Sequence, residues 1–390
     1  MEIKSNNLLK KETFNNTKIL IKNKRKKSLE IVNNNYSDNN STSYINSSNN
    51  NDIEGSNEIN EINDNCNSTL SIANKFFYFL TFICYLGTAI LIFSYNKYWQ
   101  GLLVYKPLEY QIPKFSDFKI ILYAVPIISL IKIAFESALS PVMYKYVLSK
   151  KYKNLNDESN FNLGFIYKKK LATNLYKVVY YSLVVLFSYS LIKDMDYFPY
   201  EILGKGDMIN IFKNGSPGYI FFEKPKYFDM YYLISVAFVI TDLIWLLFVY
   251  ETQSDYPLML LHHSVTISLI LFSYLTNLSQ IGVIVLFLHD ATDILVYVVR
   301  IVINTDCIFF VKVTLCSVFL LSYIYLRLYV LGKLIIVVGL YMDNTRIHQN
   351  ILWYFKIVLI IMHLYWVSQI TSKLLNLNIS DVAKIKKKKN

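Results

Sequence analysis

Three of the five histidines in this 390-residue chain fall within one stretch, DYPLMLLHHSVTISLILFSYLTNLSQIGVIVLFLHDATDILVYVVR, from 255 to 300. On a helix the adjacent His262 and His263 point about 100° apart, and Thr266 lies one turn on. His289 and Asp293 are spaced i,i+4 and share a face, Asp290 and Asp293 are spaced i,i+3, and Arg300 follows two turns later. Imidazole can serve as base, acid or nucleophile near neutral pH. A carboxylate on its second nitrogen fixes the tautomer, and a spare donor can meet a developing oxyanion. The residue types therefore point to proton transfer or acyl transfer. The bland reading is that these groups only satisfy one another inside a helical bundle. Metal chemistry is the sharper rival, because His and Asp are good ligands. Adjacent histidines diverge too far to chelate one ion comfortably, so no metal is expected.

These residues sit in unusually apolar surroundings. The chain is 54% hydrophobic and 17% charged, with mean hydropathy +0.30. Eight apolar blocks lie near 76–95, 117–140, 171–192, 228–250, 257–276, 279–303, 308–340 and 351–373. Each has about the length that crosses a bilayer core of roughly 30 Å. The expected fold class is an all-α membrane protein of about eight transmembrane helices, with the site between spans. The seventh block is long enough to tilt strongly or to bend near Gly332. The fifth and sixth are joined by a few residues and should be antiparallel neighbours, which brings His263 and His289 to similar heights.

Charge divides the rest of the chain. Residues 1–75 form an Asn/Lys-rich tail, expected to be disordered, with a basic run at Lys22, Lys24, Arg25, Lys26 and Lys27. Two spans and their loops occupy 76–167, six spans 168–373, and a basic tail 374–390. The 141–170 loop and the C-terminus are also rich in Lys. An even number of spans then places both termini in the cytoplasm and the 193–227 loop on the other side, with an Asn214 glycosylation acceptor. Lys387 and Lys388 have the spacing of a dilysine retrieval signal for the endoplasmic reticulum. The net charge of +12 is that of loops and tails in a membrane protein, and no nucleic-acid partner is expected. Cys66, Cys84, Cys307 and Cys316 form no CxxC pair.

The ordered set His262, His263, Thr266, Ser273, Tyr274, Asn277, Gly282, His289, Asp290 and Asp293 resembles the signature of the TLC-domain family, and specifically of ceramide synthases. Asp255 and Tyr256 resemble the family's Asp-Phe just upstream. Weaker likenesses run from about 96 to 373: Tyr123 to Pro126, Phe135 with Glu136, Arg327 in the late long span, and His363 with Trp366 in the last. The chain departs from the family at Thr173 (often Glu), Tyr176 (Trp), Gly332 (Pro), Tyr297 (Glu) and Arg300 (Lys).

The resemblance implies an endoplasmic reticulum enzyme that joins the acyl group of a fatty acyl-CoA to the amine of sphinganine or another sphingoid base. Acyl-CoA is then a co-substrate and no cofactor is needed. Membrane lipids are neighbours, and a homo-oligomer is compatible. The implied catalytic residues are His262, His263, His289, Asp290 and Asp293, with Thr266, Asn277, Arg300, Arg327, His363 and Asp242 as substrate-binding candidates. Either a histidine of the pair deprotonates the amine, or it first takes the acyl group itself. In both routes His289 with Asp290 or Asp293 is expected to hold the partner imidazole. In the family the loop before the last span, here about 341–350, influences acyl length. The alternatives are a non-enzymatic TLC-domain protein of lipid sensing, trafficking or translocon association, and a transporter, for which no inverted repeat is evident.

Overall fold

The computed structural model describes residues 52–102, 113–143, 158–215, 218–249, 256–342 and 347–389. The basic run of the N-terminal tail, Asp255 and residues 144–157 of the Lys-rich 141–170 loop lie outside these residues. Two compact units divide the chain, Met1–Leu70 and Ser71–Asn390. Of the first, the described part is helical backbone from Asp52.

The architecture is all-α, with no strand among the described residues. In chain order the helices are α1 (Asp52–Leu102), α2 (Lys119–Val142), α3 (Glu158–Ile192), α4 (Phe228–Val249), α5 (Tyr256–Leu275), α6 (Ser279–Ile303), α7 (Phe309–Tyr323), α8 (Leu331–Tyr341) and α9 (Ile347–Lys389). A π-helical stretch, Ile324–Val330, joins α7 to α8. Among the described residues eight spans are long and apolar enough to cross a bilayer, α7 and α8 forming one of them. They coincide with the eight apolar blocks, and the protein is an all-α membrane protein. Large apolar side chains on the outside, such as Phe93 and Phe248, fit a lipid surround, where their exposure carries no hydration cost.

Two boundaries differ from expectation. Helix α1 begins at Asp52, inside the tail expected to be disordered, and α9 runs on to Lys389. Extending an existing helix costs far less than nucleating one, so a stable span carries helix into its polar flanks. The irregularity of the seventh span lies at Ile324–Val330 rather than at Gly332. A π turn inserts an extra residue and re-aims side chains, and it holds Arg327.

Helices α4, α5 and α6 are the most enclosed spans, while α1 and α2 are mostly exposed. Helix α3 packs along α6, and α2 along α4. The α5–α6 hairpin closes at Asn277, whose φ of 56° is the left-handed conformation that commonly ends a helix. The Leu278 N–H donates to Ser273 O at 2.7 Å, and the Asn277 side chain donates to Ile220 O. The last contact ties the hairpin to the 193–227 segment. That segment joins the main core of the bundle through Phe198, Met208, Ile211 and Ile220.

Gly282 sits where α4, α5 and α6 meet. A Cβ there would collide with the Tyr232 hydroxyl and with Ser273 Oγ, which hydrogen-bond each other. Outside this hairpin, α1 grips the back of α5. Tyr85 and Ser264 hydroxyls are 3.0 Å apart and Thr88 and Ser268 hydroxyls 2.8 Å apart. Tyr98 and Trp99 donate to the carbonyls of Thr276 and Leu275. The last turn of an apolar helix has free carbonyls, and these two aromatic donors satisfy a pair of them.

Candidate active site

A cavity of about 340 Å³ opens among α4, α5, α6, α7, the π turn and α9. His262, His263 and Thr266 line it from α5, and His289, Asp290 and Asp293 from α6. The antiparallel hairpin brings the two polar sets to one depth, as their positions along the helices imply. The rings of His262 and His289 stack 6.3 Å apart, and Trp366 meets His262 edge-on at 5.1 Å.

Hydrogen bonding sorts these groups into two classes. His289 Nδ1 lies 2.7 Å from Val285 O, and its Nε2 lies 2.9 Å from Nε2 of His363. His363 Nδ1 is 2.8 Å from the Tyr323 hydroxyl. A carbonyl only accepts, so with neutral rings His289 carries its proton on Nδ1 and accepts at Nε2. His363 must then donate from Nε2 and accept at Nδ1 from Tyr323. This chain occupies both ring nitrogens of His289. By contrast, His262 Nδ1, His263 Nδ1, Thr266 Oγ1 and Asp290 Oδ2 have no partner among the described residues. Buried polar atoms left unpaired are costly, and in a cavity they mark groups that await a ligand.

The carboxylates are placed differently from expectation. Neither Asp290 nor Asp293 bonds an imidazole: Asp290 keeps an unpaired oxygen, and Asp293 has another partner. Asp293 pairs with the Arg327 guanidinium, which also donates to His289 O at 3.0 Å. The π turn presents Arg327 to that ion pair and so removes Asp293 from the histidines. Asp242 lines the cavity and also pairs with Lys177 at 2.6 Å. Lys177 also donates to Tyr297 Oη at 3.1 Å. Arg300 is exposed at one end of the cavity, with Lys373 beside it in the lining and its guanidinium over the Tyr297 ring at 5.3 Å.

Two substrate-binding candidates fall elsewhere. Asn277 closes the α5–α6 turn and takes no part in the cavity wall. His363 is fully buried behind His289. Lys177, Tyr323 and Lys356 were not singled out by sequence. A lone Lys in the third apolar block opposite Asp242 in the fourth was the signal for the first. Tyr323 gives no signal among 33 tyrosines. Among the described residues no group of three or more His, Cys, Asp or Glu side chains is arranged to hold a metal ion.

Part of this chain is similar in sequence to known proteins. Residues 170–372 match the family model described as the TLC domain. The chain is 29% identical over 145 residues to Ceramide synthase LOH2 of Arabidopsis thaliana, covering 35% of this chain and 49% of that protein. It is 32% identical over 146 residues to Ceramide synthase 4 of Mus musculus, 35% of each chain. It is 38% identical over 77 residues to Ceramide synthase hyl-2 of Caenorhabditis elegans, 20% of this chain and 23% of that one. These matches span about half or less of the relatives' length.

Proposed function

The chain belongs to the TLC-domain family, and on that footing we propose that it is a ceramide synthase. It transfers a fatty acyl group from acyl-CoA to the amine of sphinganine or a related sphingoid base. The observation that carries the proposal is the pair of adjacent imidazoles, His262 and His263, whose Nδ1 atoms are unpartnered beside a mostly apolar cavity. Relatives named ceramide synthases, in plant, mouse and worm, support the same chemistry.

The residues divide the work as follows. The base nitrogen of the sphingoid lipid attacks the thioester carbonyl, a C–N bond forms and the C–S bond breaks. An imidazole of the pair accepts the amine proton and returns it to the departing thiolate. The same pair can instead take the acyl group first and pass it on, and trapping of an acyl-histidine peptide distinguishes the routes. Thr266 Oγ1 is a free donor for the oxyanion. The unpaired oxygen of Asp290 accepts from the incoming amine. His289, held by His363 and Val285, stacks against His262 and fixes its plane.

The protein lies in the endoplasmic reticulum membrane with both termini in the cytoplasm. Basic residues at the ends of the apolar blocks support that orientation. Arg300 and Lys373 then stand at the cytoplasmic end of the cavity, where CoA arrives. The test is an assay of membranes from cells lacking endogenous ceramide synthase. Acyl-CoA and sphinganine are supplied and N-acylated product is read by mass spectrometry. Product is expected; its absence across all acyl lengths, from protein that is folded, would overturn the proposal.

A further inference from the structure

Beyond the histidines lies a buried lysine that the acyl-transfer chemistry does not use. Lys356 is 5% exposed and lies near the start of the last span. Among the described residues no charged or hydrogen-bonding group offsets its burial. The ion pairs among the described residues all involve other side chains. Lys356 lines a second, smaller cavity of about 20 Å³, room for about one water-sized group. The rest of that wall is apolar apart from Ser273.

The two cavities share three wall residues, Leu269, Ile270 and Val285. Together they line up along the bundle. One end has Arg300 and Lys373, the middle has the histidines, and the other end has Gly282, Leu352 and Lys356. His363 and Lys356 are about seven positions apart on α9, roughly 10 Å along its axis. An apolar tail entering past the histidines would follow Leu269, Ile270 and Val285 and arrive at the amine. Burying a methyl terminus against an amine strips the amine of its last solvent contact and gives no hydrogen bond in return. Aliphatic walls welcome each added methylene, but a buried amine resists the next one.

We propose that Lys356 is the specificity-determining stop for the fatty acyl chain, placed at the closed end of the passage formed by the two cavities. This rests on the ceramide synthase reading. Replacing the amine by an apolar group of similar shape removes the stop, and filling the small cavity shortens the passage. Pockets that grade apolar chains commonly discriminate about tenfold or more per methylene.

Two measurements test it. In the first, wild type, Lys356→Met and Leu352→Phe are assayed with a series of saturated acyl-CoAs of increasing length. Lys356→Met is expected to raise the ratio of longer to shorter product by about tenfold, and Leu352→Phe to lower it. Product with unchanged length profiles in both variants overturns the inference while leaving the ceramide synthase reading intact. In the second, an acyl-CoA with a photoreactive diazirine at the chain terminus is bound to the full protein and the labelled peptides are identified. Label at Ser273, Leu352 or Lys356 is expected. Label confined to other helices overturns the inference whether or not the wild type makes product, so the two readings fail separately.

Discussion

Nε2 of His289 lies 2.9 Å from Nε2 of His363, and the Val285 carbonyl fixes which of the two rings donates. With Tyr323 at the far end, the bonds run in one direction from the tyrosine hydroxyl to the α6 backbone. His289 is therefore committed within the protein, and His262 and His263 remain open to a substrate. The chain is a positioning device spread over α6, α7 and α9. Breaking it should move His289 against His262 without deleting a reacting group. His363→Ala is expected to lower kcat by about 10- to 100-fold, the scale of a misplacement of about an ångström. His363→Gln, which can still donate to His289, should recover part of the loss. Steady-state kinetics of both variants check this, and equal loss in both would count against positioning by this bond.

The Arg327–Asp293 pair is enclosed, with side chains 5% and 21% exposed. Removing one member strands the other. Arg327→Leu or Asp293→Leu alone should cost about 3–5 kcal/mol, and the double replacement should recover much of it. Thermal unfolding in detergent measures the effect. Additive losses in the double variant would show that the two charges do not depend on each other.

Asn277 offers a clean separation between a turn and a binding role. Asn277→Gly keeps the left-handed conformation and loses one hydrogen bond, so a cost of about 1 kcal/mol is expected. Asn277→Val, β-branched at positive φ, should be clearly less stable. Activity per folded molecule should stay near wild type in the glycine variant. A large rise in KM there would put Asn277 back among the substrate contacts.

The seam between α1 and α5 lies on the face opposite His262. Thr88→Val with Ser268→Ala removes one hydroxyl pair at 2.8 Å, and polar contacts between membrane helices are worth about 0.6 kcal/mol on average. A small loss of thermal stability is expected. A loss of several kcal/mol would mean that the seam does more than join two helices.

Much of the fold was legible because apolar block length reports spans directly. All eight blocks appear as spans, and the few-residue link between the fifth and sixth correctly implied a hairpin. The hairpin implied that His263 and His289 lie at similar heights, and the ring that stacks on His289 is that of its neighbour His262. What spacing could not reveal was partner choice between distant helices. Asp293 shares a helix face with His289, which suggested a carboxylate–imidazole bond. The π turn, invisible to periodicity, delivers Arg327 from a third helix and takes the carboxylate instead. His363 looked like a surface of the substrate site because its motif neighbours do, yet it sits behind His289. Lys356 carries no signal in the sequence, because one lysine at the edge of an apolar block usually snorkels to the interface. Its burial is a property of packing. Residues 343–346 of the 341–350 loop lie outside the described residues.

The most direct test of the paired imidazoles is the N-acylation assay with the His262→Ala, His263→Ala double variant beside the wild type, in membranes lacking endogenous ceramide synthase and at matched levels of folded protein. Wild-type membranes should yield N-acylated sphinganine by mass spectrometry, and the double variant should lose at least about 100-fold of that activity. Comparable product from both would contradict the assignment of the chemistry to this pair.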